Sequence, residues 1–129
     1  MKIVHVAIWA HDLEMLKNFY EKYFKAKAGK KYVNTTKNFE SYFLDFEEGG
    51  RLELMHMPGI PVSLNDSYKQ FSGLIHFAIG VGSKEKVNSL TEQLREDGLE
   101  IVGEPRMTGD GYYESVVLDP EGNRIEITV

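Results

Sequence analysis

The chain has 129 residues, a formal net charge of −5 and no cysteine, and 42% of its residues are hydrophobic. One domain is the expectation at this length, and the lack of cysteine excludes disulfides, thiolate metal sites and cysteine nucleophiles, which favours a cytoplasmic protein. The acidic balance argues against nucleic acid as a partner, and no apolar run is long enough for a membrane span or a signal peptide.

Residues 2–9 alternate, with Val4, Val6 and Ile8 on one side and Ile3, His5, Ala7 and Trp9 on the other, which predicts a strand. Asp12 is placed to cap a helix in which Leu13, Leu16, Phe19, Tyr20, Tyr23 and Phe24 share one face, with Lys22, Lys25 and Lys27 toward its negative end. Strands are predicted at 30–35, 39–46 and 51–57, the last two joined by a Glu47-Glu48-Gly49-Gly50 turn. Residues 58–72, with Pro58 and Pro61 and no periodicity, read as a connection. The pattern then restarts. A strand at 74–81 precedes a helix capped by Ser83, whose inner face holds Val87, Leu90, Thr91 and Leu94 up to Gly98, and strands follow near 99–104, 112–118 and 124–129.

Particular strings make this an internal duplication. Ile3-Val4-His5-Val6-Ala7-Ile8 matches Leu74-Ile75-His76-Phe77-Ala78-Ile79, and the segment from Leu44 to Leu54 matches Leu118 to Ile127 once one residue is gapped. The chain therefore reads as a single α+β domain of two βαβββ modules, about 1–57 and 73–129, joined by 58–72. Their sheets are expected to curl around a cleft.

Four ionisable residues occupy repeat-related places: His5 and His76 in the first strands, Glu53 and Glu126 in the last. Leu52, Leu54, Ile125 and Ile127 have the parity that packs against helices, so the two glutamates and both histidines project from the opposite face. A lone strand histidine is more often a polar core or surface group than a ligand. Independent surface charges, however, have no reason to recur at the same two positions of a duplicated unit. Two imidazoles and two carboxylates suit one divalent ion, Ni, Zn, Co, Fe or Mn.

Trp9 shares the parity of His5 and reads either as a pocket wall or as core, and Phe43, Tyr42 and Met55 are similar cases. Arg51 and Arg124, each two residues before a glutamate, read either as rim arginines for a substrate carboxylate or, more simply, as solvated ion pairs. Met107-Thr108-Gly109-Asp110-Gly111 lacks phosphate-loop spacing and reads as a loop with the makings of a lid. His11 and His56 fall outside the repeat and take no role.

With its duplicated module, the segment Leu16-Lys17-Asn18-Phe19-Tyr20, the turn Asp119-Pro120-Glu121-Gly122-Asn123 and the order His, Glu, His, Glu, the whole chain resembles the vicinal oxygen chelate superfamily. That superfamily includes glyoxalase I, methylmalonyl-CoA epimerase, extradiol dioxygenases and the fosfomycin and bleomycin resistance proteins. The ligand order is that of glyoxalase I (lactoylglutathione lyase), so the resemblance implies His5, Glu53, His76 and Glu126 as metal ligands. It also implies a lyase or isomerase acting by proton transfer through an enediolate on a small-molecule substrate, with Glu126 as base and Glu53 acting on the other face.

Four protein ligands leave two positions of an octahedral ion open, too few for a catechol dioxygenase that must also hold O₂. The epimerases carry Gln in place of Glu53 and stand second; a metal-free drug-binding protein is the rival from another class. The glutathione-dependent glyoxalases place an arginine four residues after the first histidine, where this chain has Trp9. A substrate other than a glutathione adduct is therefore expected. The resemblance further implies a homodimer, leaving open whether the site lies within one chain or is shared.

Overall fold

The computed structural model describes residues 1–129. It divides into two units, Met1–Ser63 and Leu64–Val129, each a helix laid on one face of a mixed sheet. In the first unit the elements are β1 (Val6–Trp9), α1 (Leu13–Phe24), β2 (Lys27–Ala28), β3 (Tyr32–Asn34), β4 (Phe39–Asp45) and β5 (Arg51–His56). The second contains β6 (Phe77–Gly80), α2 (Lys84–Glu96), β7 (Ile101–Met107), β8 (Tyr113–Leu118) and β9 (Arg124–Thr128). Strand order is β1-β5-β4-β2 with β3 also on β4, and β6-β9-β8-β7, so the second unit is a βαβββ module and the first is the same module with its second strand in two pieces.

Local chemistry accounts for both helices. The Asp12 carboxylate accepts from the Met15 amide at 2.9 Å, and Leu13, Leu16, Phe19, Tyr20 and Phe24 form the buried stripe of α1. Each such side chain contributes on the order of 1.5–3 kcal/mol when fully buried. The helix stops at Lys25, which takes the left-handed conformation with φ 54° and returns its N–H to the Tyr20 carbonyl. Ser83 caps α2, and Gly98, at φ 83°, lets Leu99 N–H reach the Leu94 carbonyl at 2.9 Å.

Three sequence expectations are corrected. The first strand of each module begins at Val6 and Phe77 rather than at residues 2 and 74, because each runs parallel to a partner that starts only at Arg51 or Arg124. Residues farther upstream would face the preceding turn and have no ladder to join. The strand expected at 30–35 is instead two pieces, β2 and β3, both antiparallel to β4 but offset by one extra residue between them, a bulge. β7 shows comparable register shifts against β8, and extends to Met107.

The gap in the sequence repeat also disappears. Phe46 N–H bonds to Gly50 O and Asp119 N–H to Asn123 O, and the strands leave both turns in the same register. Asp45 thus corresponds to Leu118, and Asp119 to Phe46. Asp45 lies on a strand and pairs with Arg51, whereas Asp119 is buried in the turn and accepts from the amides of Glu121 and Asn123, each at 2.9 Å. Residues 58–72 contain neither helix nor strand, and the two units divide within them, between Ser63 and Leu64.

Candidate metal and substrate site

Strand parity sorts the faces as expected. Leu52 and Leu54 on β5, and Ile125 and Ile127 on β9, are buried, while Glu53 and Glu126 alternate to the side away from the helices. In the parallel ladders Ala7 lies opposite Glu53 and Ala78 opposite Glu126. His5 and His76 sit two residues before these alanines, just ahead of their strands, so the small methyl leaves the carboxylate within reach of the ring. His5 Nε2 stands 3.5 Å from Glu53 Oε2, and His76 Nε2 stands 3.2 Å from Glu126 Oε1. Exposure matches as well: the side chains of the histidines are 38% and 37% accessible, those of the glutamates 16% and 18%.

Burial pushes the Glu126 carboxyl above its ordinary value; the neighbouring His76 pulls it down, Glu114 pushes it up again and Arg106 pulls it down. An imidazole beside a half-buried carboxylate is a donor set suited to a first-row divalent ion. Each module supplies two such donors. Nowhere does the structure bring three His, Asp or Glu side chains together in a metal-binding group.

The rest of each face differs between modules. In the first, Phe43 lies opposite Glu53, meets the His5 ring edge-on at 5.4 Å and carries the Arg51 guanidinium 4.3 Å above its centroid. Arg51 is the ion pair that the simpler sequence reading expects, 2.7 Å from Asp45. Trp9 lies opposite Met55 and meets Phe39 edge-on at 6.0 Å; at 40% exposure it belongs to the surface of this face and not to the core. Tyr42 lies on the helix side, its hydroxyl donating to Glu14 at 2.9 Å.

In the second module the positions of Tyr32, Ser41, Met55 and Trp9 are taken by Arg106, Glu114, Thr128 and Gly80. Arg106 Nη2 bonds to Glu114 Oε1 at 3.3 Å. Sequence reading misses this pair, although Glu114 shares the parity of Val116, the cross-strand neighbour of Glu126. Arg124 is not in an ion pair: its Nε donates to the Ser67 carbonyl at 2.6 Å, and Ser67 Oγ donates to the Gly122 carbonyl at 2.7 Å. It fastens the start of the second unit to the β8–β9 turn. His56, given no role from sequence, has Nδ1 2.9 Å from the Ala10 carbonyl and ties the end of β5 to the turn before α1. The glycine-rich residues 107–111 belong to a closed hairpin turn, in which Thr108 and Tyr112 exchange hydrogen bonds through both main chain and the Thr108 hydroxyl.

No helix is long and apolar enough to cross a membrane. A comparison with curated proteins found no match. Among solved structures, a glyoxalase family protein from Enterococcus faecalis is 27% identical, with 99% of this chain and 97% of that one covered at a TM-score of 0.77. The trypanothione-dependent glyoxalase I of Leishmania major is 24% identical over 99% of this chain and 86% of its own, with a TM-score of 0.75. Glyoxalase I from Zea mays is 22% identical, this chain covering 44% of it, with a TM-score of 0.78. Residues 2–127 match the sequence profile of the Glyoxalase/Bleomycin resistance protein/Dioxygenase superfamily, and the chain belongs to that superfamily.

Proposed function

We propose that the protein is a metal-dependent lyase or isomerase of the glyoxalase I type, moving a proton on a small substrate that offers two adjacent oxygens. The observation that carries this reading is the recurrence of one His–Glu pair, at 3.5 Å and 3.2 Å, at the same ladder position of both modules. His5, Glu53, His76 and Glu126 would together hold one divalent ion, Ni, Zn, Co, Fe or Mn, the two pairs completing each other within a chain or across a homodimer. Bound there, the ion would polarise the substrate oxygens and stabilise the charge left by proton removal.

Glu126 is the base. Its burial favours the proton-bound form, which brings its proton affinity toward the range where a carboxylate can both accept and return a proton. His76, 3.2 Å away, orients the carboxylate, whose side chain is 18% accessible between its ladder neighbours Ala78 and Val116. Glu53 serves the other face of the substrate between Ala7 and Phe43. Trp9 and Met55 form an apolar wall on that side.

An indole at position 9 offers no charge to a glutamyl carboxylate, and losing such a contact removes roughly one to two powers of ten in binding. The glutathione hemithioacetal of methylglyoxal is therefore expected to react with kcat/KM well below ~10⁵ M⁻¹s⁻¹. Loss of the α-proton signal of hydroxyacetone in deuterated water, followed by NMR with Ni-, Co- and Zn-loaded protein, tests the reading directly. Exchange is expected in wild type and not in Glu126→Gln. No exchange above the free-metal background in any metal form overturns it.

A further inference from the structure

The chain has four arginines, and three of them are committed. Arg51 is held by Asp45 and Phe43, Arg95 by Glu92 and Glu104 at the end of α2, and Arg124 by the Ser67 carbonyl. Arg106 is different. Of the five N–H donors of its guanidinium, one Nη2 hydrogen meets Glu114, over a long 3.3 Å contact, and neither Nε nor Nη1 makes a hydrogen bond. Its side chain is 52% accessible while that of Glu114 is 11% accessible, so the carboxylate anchors the guanidinium from beneath and leaves its fork presented outward.

The pair stands on the face that carries Glu126. Glu114 is opposite Thr128 on β9, two residues from Glu126, and Arg106 is opposite Glu114 on β7. The fold does not require an ion pair here, because the first module builds the same rung from Tyr32 and Ser41. A guanidinium with free donors, fixed in place by a nearly buried carboxylate beside the proposed base, is a built receptor for an anionic oxygen pair.

We propose that Arg106 is the residue that selects substrates bearing a carboxylate, with Glu114 as its positioning residue. One guanidinium matches one carboxylate through two parallel hydrogen bonds, whereas the negative charges of Glu114 and Glu126 alongside disfavour a doubly charged phosphate. The substrate class is accordingly a small acid whose two chelating oxygens are accompanied by a further carboxylate. This deepens the metal-dependent reading above and rests on it only for where the chelating oxygens sit.

The test uses a matched pair of probes, acetohydroxamate and the monohydroxamate of succinic acid, which share a chelating group and differ by one carboxylate. Titration calorimetry on metal-loaded wild type is expected to show the added carboxylate tightening binding by about 10- to 100-fold. That increment disappears in Arg106→Gln, which still offers Glu114 a donor, and shrinks in Arg106→Lys, which keeps charge without the fork; acetohydroxamate affinity and metal content stay the same in both. An equal increment in wild type and Arg106→Gln overturns the proposal.

A metal-free arm separates its failure from that of the metal reading. Titrating succinate into metal-free protein while following arginine Nε–H resonances is expected to give a saturating shift at Arg106, absent at Arg51 and Arg124. No shift at Arg106, or the same shift at all three, overturns the carboxylate site even if the protein takes up a metal. A shift at Arg106 in a protein that takes up none upholds the site and discards the metal reading.

Discussion

Glu126 carries a cost in the metal-free chain. Burial raises its carboxyl above the ordinary 4.5, so the folded protein holds this proton more tightly than the unfolded chain does. As pH rises from about 4.5, the unfolded state loses the proton first, and stability falls until pH passes the raised folded value. Glu126→Gln removes that loss. In chelator, urea unfolding should show Glu126→Gln gaining stability relative to wild type as pH rises from about 4.5 toward the raised folded value, with no further change once that value is passed. A wild-type-to-variant difference that does not vary with pH contradicts the burial argument.

At this scale the four donors are legible from sequence because two nearly identical strings carry them at matched positions. Arg106 and Glu114 are not, for a physical reason. The ladder between β7 and β8 shifts register twice, between Ile101 and Gly103 and again between Gly103 and Arg106, so counting by twos along β7 misplaces Arg106, and Glu114, though it keeps its parity on β8, then has no visible partner. Arg51 and Arg124 look equivalent in sequence. They part because Asp45 lies beside one, where the repeat puts Leu118 beside the other, leaving Arg124 to find a main-chain carbonyl.

Among the elements, α2 shows how the duplicated frame tolerates different packing. Where α1 buries Tyr20 among Phe19 and Phe24, α2 buries Thr91, whose hydroxyl donates to the Val87 carbonyl at 2.7 Å and lies 2.7 Å from Ser115 Oγ on β8. Thr91→Val leaves the buried Ser115 hydroxyl without that partner and should cost ~1–3 kcal/mol in urea unfolding. Thr91→Val with Ser115→Ala should cost less than the sum of the two single changes, since neither polar group is then stranded. Strict additivity would show the two hydroxyls to be independent. Both helices are readable in advance from their caps and apolar stripes. The strands that open the modules are not bounded correctly, because their length is set by where a distant parallel partner begins.

For the whole molecule, the repeat, the α+β class and the superfamily are carried by features spread along nearly the full chain, which is why they are legible without coordinates. The arrangement of the modules relative to one another is a property of assembly and leaves no mark on local periodicity. The proposed homodimer leaves both pairings open, within a chain or across two, and equilibrium sedimentation at micromolar concentration should give the dimer mass. A monomer at full metal occupancy contradicts that arrangement.

His5, Glu53, His76 and Glu126 are proposed to hold one ion together. Elemental analysis of protein purified without chelator, then dialysed against Ni, Co, Zn and Mn in turn, tests it most directly. About one divalent ion per chain is expected in wild type, with lower occupancy in His5→Ala and in Glu126→Gln, since each removes one donor of the set. Wild-type protein that stays metal-free after all four dialyses contradicts it and points instead to a metal-free binding protein on the same fold.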